Sequence, residues 1–157
     1  MKKRRFLISL IVFFVLVLSL QAQNYKTGVG GRLGFFSGIT AKHFIKPTNA
    51  VEGIVSFRWD GLIITGLYEW QKPIKEVAGL DWYIGGGAHV GFWDANQYYW
   101  KSETSGGFGF DFTIGLEYTF TEAPFSIGLD WKPAFNIIGD SHWWGDGVGL
   151  NIRYNFK

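Results

Sequence analysis

Cysteine is absent from the 157-residue chain, which excludes a disulfide framework and a thiolate metal site. Proline is scarce, at 4 residues. No glycine-rich loop follows a strand and opens a helix, so the phosphate-cradling motifs are missing as well. The histidines are scattered, and neither a metal nor a cofactor is expected. Surplus positive charge is also lacking. The chain has 15 basic and 13 acidic side chains, but Lys2, Lys3, Arg4 and Arg5 supply four of the bases, leaving 11 against 13. Nothing in that balance points to nucleic acid. No linker or charge block divides the remainder, which has the length of one domain.

What is present begins with a leader. After the four basic residues, Phe6 to Leu20 is apolar except for Ser9 and Ser19, and Gln21-Ala22-Gln23 follows. This order is that of a secretory signal peptide, and the run is shorter than the ~20 residues a spanning helix needs. The expected division is a signal peptide over 1–22, cut after Ala22, and a single domain over 23–157.

The chain is rich in glycine (22) and in Phe, Trp and Tyr (15, 8 and 7), all but three phenylalanines of them in that domain, a composition poor for helices and suited to strands. Apolar and polar residues alternate with a period of two. Phe108, Phe110, Phe112, Ile114, Leu116, Tyr118 and Phe120 oppose Gly109, Asp111, Thr113, Gly115, Glu117 and Thr119. The pattern recurs over 125–132 and 148–156, and less purely over 28–35, 51–59, 62–71 and 80–92. Such alternation predicts strands. An eighth strand is expected over 39–45, where either face could point outward. Asp60-Gly61, Ser37-Gly38, 46–49 and 121–124 carry turn chemistry, and the two substantial loops fall at about 93–105 and 136–145. Pro133 is expected to mark the upper end of the seventh strand, or else a gap in the wall. The fold expected is an all-β, eight-stranded antiparallel up-and-down barrel.

The polar face carries small residues and charges of both signs, whereas the apolar face is bulky. No amphipathic helix is left to cover that apolar face, so lipid is its expected solvent, and closure of the sheet pairs every backbone amide. Phe110, Phe112, Ile114, Leu116, Leu129, Leu150 and Ile152 are the expected lipid-facing residues. Trp59, Trp70, Trp82, Tyr118, Phe120, Tyr154 and Phe156 are the expected aromatic girdles. With both ends periplasmic, the two long loops fall outside the cell, and a bacterial outer membrane is the expected location. Arg32, Glu52, Arg58, Glu69, Asp81, His89, Asp111, Glu117, Asp130, Lys132 and Arg153 face inward, and are expected to pair, because an unpaired buried charge is costly.

Catalysis has weak candidates. His89 lies on an inward face. Ser141 and His142 share a loop with Asp140, but sequence adjacency does not create a triad; Trp143 and Trp144 beside them read as interfacial anchors or a binding surface.

The closing segment Gly147-Val148-Gly149-Leu150-Asn151-Ile152-Arg153-Tyr154-Asn155-Phe156 alternates to a near-terminal aromatic. It resembles the strand by which outer-membrane assembly machinery recognises its clients, with Lys157 as a departure from a terminal aromatic. The leader resembles those of exported Bacteroidetes proteins. From about 25 to 157 the chain is similar to the OmpX/OmpA-type eight-stranded barrel group, including uncharacterised Bacteroidetes members. That resemblance implies a monomeric barrel in contact with lipid and lipopolysaccharide, but no enzyme site of the group can be laid on these residues. A structural or surface-interaction role without catalysis is therefore expected. The alternatives are a lipid A or phospholipid modifying enzyme and a narrow pore.

Overall fold

The computed structural model describes residues 25–58, 61–93, 106–139 and 143–156. The leader, Trp59, Ser141 and His142 lie outside these described residues. The strands are β1 (Thr27–Gly34), β2 (Gly38–Lys46), β3 (Asn49–Arg58), β4 (Gly61–Pro73), β5 (Leu80–Trp93), β6 (Gly106–Thr119), β7 (Phe125–Trp131), β8 (Ala134–Ile138), β9 (Trp143–Trp144) and β10 (Val148–Phe156). All pairings are antiparallel. β7 and β8 lie end to end against β6 as one stave of the wall, and β9 with β10 forms another, giving an all-β, up-and-down barrel of eight staves. Closure comes from β1 and β10, in register from Thr27 opposite Phe156 to Gly34 opposite Gly149.

The period-two pattern is the physical reason for the shape. A strand sends successive side chains to opposite faces, so an alternating sequence gives the sheet one bulky apolar face and one polar face. Curled shut, the sheet puts the small and polar residues inside. Phe112 is 65% and Leu129 57% exposed on the outer wall, whereas Arg32 and Arg153 inside are 1% and 0% exposed. Glycines make room for these long inward chains. A Cβ on Gly149 would lie 2.4 Å from Cζ of Arg32, and one on Gly115 would lie 2.6 Å from Cζ of Tyr83.

The face of β2 is now fixed. Thr40 and Lys42 point inward and are fully buried, while Ile39 and Ile45 are exposed.

The seventh stave differs from expectation. β7 does end at Trp131, just ahead of Pro133, but no gap opens in the wall there, and the segment from Asn136 is not loop: β8 takes up at Ala134 and continues to Ile138. Register against β6 is unchanged across the proline, from Ile114 opposite Trp131 to Asp111 opposite Ala134. The Pro133 carbonyl accepts a bond from the Phe112 amide at 3.0 Å; the proline withholds only its own missing N–H. The irregularity beside the proline sits on the other side, apart from a further register shift against β6 at Phe108. Trp131 faces Val148 but Ala134 faces Trp144, so residues 145–147 stand opposite 132–133. One extra residue in a ladder is a β-bulge, and it reverses which side chains point inward beyond it. Trp144 is consequently buried while Trp143 is 53% exposed.

Candidate functional site: the barrel interior

At the level nearest the chain termini, Arg153 is the hub. Its Nη1 donates to Glu117 Oε2 at 2.7 Å, its Nη2 donates to Glu52 Oε1, and its Nε reaches Thr40 Oγ1 at 3.3 Å. The Thr40 hydroxyl donates in turn to Glu52. Glu117 Oε1 accepts from the Tyr25 hydroxyl at 2.5 Å and from Gln71 Nε2 at 3.1 Å. Tyr25 lies ahead of β1, and burial together with the Glu117 carboxylate raises its phenol well above the ordinary value, so it remains a donor. Gln71 also donates to Asp81 at 2.8 Å and accepts from Lys42 at 2.6 Å. The Lys42 ammonium then meets Glu69 at 2.7 Å and lies 4.2 Å from the centre of the Tyr83 ring.

One level up, Arg32 grips Asp130 with both ends of its fork, at 2.7 and 2.6 Å, the bidentate geometry that suits guanidinium and carboxylate. Asp130 Oδ2 also accepts from the Tyr83 hydroxyl at 2.9 Å and from Asn151 at 2.6 Å. Higher still, Asp111 takes Lys132 at 2.5 Å and His89 Nδ1 at 2.6 Å, while His89 Nε2 meets Asn136 Oδ1 at 2.6 Å. Above this level the chemistry changes. Phe36, Ile63, Ala134 and Trp144 form an apolar cluster. Trp144 stacks on His89 with ring centres 5.5 Å apart, and Lys132 lies 4.0 Å from the centre of the Phe36 ring.

Ten of the eleven expected interior residues, all but Arg58, thus sit in one three-level arrangement, each carboxylate with an ion pair or a hydrogen bond. Arg58 stands at the loop-side rim, half-buried, donating to the Phe35 carbonyl with its guanidinium 3.2 Å from the centre of the Phe35 ring. Both His89 nitrogens are engaged by Asp111 and Asn136, so neither faces an open space from which a substrate could deliver a proton. Among the described residues no cluster of His, Asp and Glu has the arrangement of a metal site.

Several participants were absent from the sequence-derived set. Tyr25, Lys42, Gln71, Tyr83, Asn136 and Asn151 all contribute partners. Lys42 could have been found from the apolar spacing of Ile39, Ala41 and Ile45, which leaves even-numbered positions inward. Phe36 follows from counting on by twos from Arg32. Trp144 was hidden, because the bulge reverses its parity; the expectation that it anchors outward beside Trp143 does not hold.

On the outer wall, the seven residues from Phe110 to Ile152 expected to meet lipid are all exposed, from 37% at Leu150 to 65% at Phe112. Six of the expected girdle residues, leaving Trp59 aside, lie near the termini-side rim. Trp70 meets Trp82 with ring centres 6.2 Å apart, Tyr118 meets Phe120 at 5.0 Å, and Tyr154 meets Phe156 at 4.9 Å.

The class these features define is a small closed barrel with an apolar exterior and an interior filled by its own ion-paired side chains. No protein-family model matches the chain, and no curated protein sequence matches it.

Proposed function

We propose that the chain is an integral barrel of a bacterial outer membrane, with a structural or surface-interaction role and no catalytic activity of its own. The observation that carries this reading is inverted polarity. Arg32, Lys42, Glu69, Glu117 and Arg153 are buried, while Phe57, Phe112, Leu129, Ile138 and other large apolar residues cover the outside. A water-facing wall of that composition would far exceed the apolar patches that soluble monomers expose. In hydrocarbon it needs no cover, and a closed ladder leaves no amide unpaired.

The leader over 1–22 supports export, and the resemblance of the closing strand to assembly-machinery clients supports delivery to the outer membrane. The longest connection between strands, 94–105, falls on the rim away from the chain termini, and that supports periplasmic termini. Lipid and lipopolysaccharide are the partners this location supplies. A lumen occupied by Arg153, Arg32, Tyr83 and their partners favours a plug over a pore. His89, engaged at both nitrogens, favours a network role over that of a base.

Refolding of the 23–157 chain tests the reading. It should dissolve only with detergent or vesicles and show heat-sensitive electrophoretic migration there. Ile114→Arg should cost ~2–4 kcal/mol of stability in vesicles if that side chain sits near the bilayer midplane. A monomer freely soluble without detergent, indifferent to charge at Ile114, would overturn it. The enzyme alternative, resting on Ser141 and His142, predicts an altered lipid A profile in cells that lack the gene; an unchanged profile removes it.

A further inference from the structure

Charge on the exterior is distributed unevenly. Lys26 precedes β1, Lys46 ends β2, and Lys72 and Lys75 lie at the end of β4 and in the connection beyond it, so all four stand at the rim that carries the chain termini. All four are exposed. Among the described residues none of them forms an ion pair, for the six ion pairs present all lie in the interior. The acids of the same rim are placed elsewhere: Asp81 is bonded inside to Gln71, and Glu122 lies on the β6–β7 connection across the barrel from β2. Only Glu76 shares a connection with one of the lysines. The lysines therefore form an arc over the staves β1 to β4.

A second observation gives the arc a direction. Lys72 points outward beside the girdle, opposite Trp82 in the ladder, with its ammonium 4.2 Å from the centre of the Trp70 ring. Trp70 in turn packs against Trp82. An amphipathic indole and a lysine stem on an apolar wall, with the ammonium at its edge, form the arrangement that places a cation at headgroup depth.

We propose that this arc binds the phosphates of anionic phospholipid in the leaflet next to the termini-bearing rim, so that the barrel selects its lipid neighbours on one side by charge. The inference rests on the membrane reading above. The alternative that the lysines merely keep the rim hydrated makes no distinction between anionic and zwitterionic lipid. Near an anionic surface each lysine changes partition by about fivefold, from ~1 kcal/mol apiece, less what salt screens.

The test places the folded barrel in phosphatidylcholine vesicles doped with lipid brominated near the headgroup end of its chains, and reads tryptophan quenching. Brominated phosphatidylglycerol should quench at about fivefold or more lower mole fraction than brominated phosphatidylcholine, and that preference should collapse in high salt. The K26Q/K46Q/K72Q/K75Q variant, checked for heat-sensitive migration, should quench alike with both lipids. Equal quenching of the unaltered protein by the two lipids overturns the inference and leaves the membrane reading standing. So does an undiminished preference in the variant, or one that salt leaves intact. No quenching by either lipid means the chain is outside the bilayer, and both fall together.

Discussion

The barrel interior has two regions built on different physics. Around Arg153 and Arg32, near the termini and at mid-height, carboxylates and cations interlock directly with one another. At the loop-side end, Phe36, Ile63, Ala134 and Trp144 close over the His89–Asp111–Lys132 group. The ionic region is held by partners that would each be stranded by the loss of one hub. The aromatic region is held by packing, where a loss leaves a void that neighbours can partly fill. The contrast teaches that a narrow barrel excludes water in its middle by satisfying charge, and at its mouth by covering it with rings.

The sharpest way to break that contrast is at the hub. Arg153→Leu leaves Glu52 and Glu117 buried without their cation and should cost ~3–5 kcal/mol, the range for stripping one partner from a buried pair; urea unfolding in detergent micelles measures it. Next comes Trp144→Ala, expected near ~3 kcal/mol, the low end for truncating a buried aromatic because the indole sits at the rim. The same unfolding assay should show the two losses adding within ~0.5 kcal/mol in the double variant, since the sites share no partner. A larger coupling would mean that ionic and aromatic regions act as one unit. Tyr25→Phe removes one donor to Glu117, which keeps Gln71 and Arg153, and should cost only ~1 kcal/mol. The smallest change is expected from Ser37→Ala. Its hydroxyl bonds Gly34 in an exposed turn outside both regions, and a loss within ~0.5 kcal/mol serves as the baseline.

The fold was legible because period-two alternation carries face and strand together. Asp111 between Phe110 and Phe112 needs no tertiary information to be assigned inward once the sheet closes. The partners were not legible in the same way. Arg32 and Asp130 are 98 positions apart in the chain, and only the barrel's stagger decides that they meet. Alternation also fails wherever the count is broken. Pro133 does stand just past the end of β7, as a residue without a donor should, yet its carbonyl still serves the ladder and the stave resumes at Ala134. The bulge opposite it then turned Trp144 inward against the parity of Val148 and Leu150. A bulge of this kind leaves little trace in sequence beyond the glycines flanking Asp146, and those also suit an ordinary loop.

The seam between β1 and β10 has a consequence for the order of the chain. Its eight residue pairs join the first strand to the last, and Lys26 N–H reaches the Phe156 carbonyl at 3.0 Å, so the two ends of the sheet finish side by side. Until the final strand is synthesised, every nascent form exposes two unzipped margins. In the completed molecule, however, no position in the ring is privileged. A circularly permuted gene, joined across this seam and opened in the 94–105 connection, would encode the same cylinder with a different starting point.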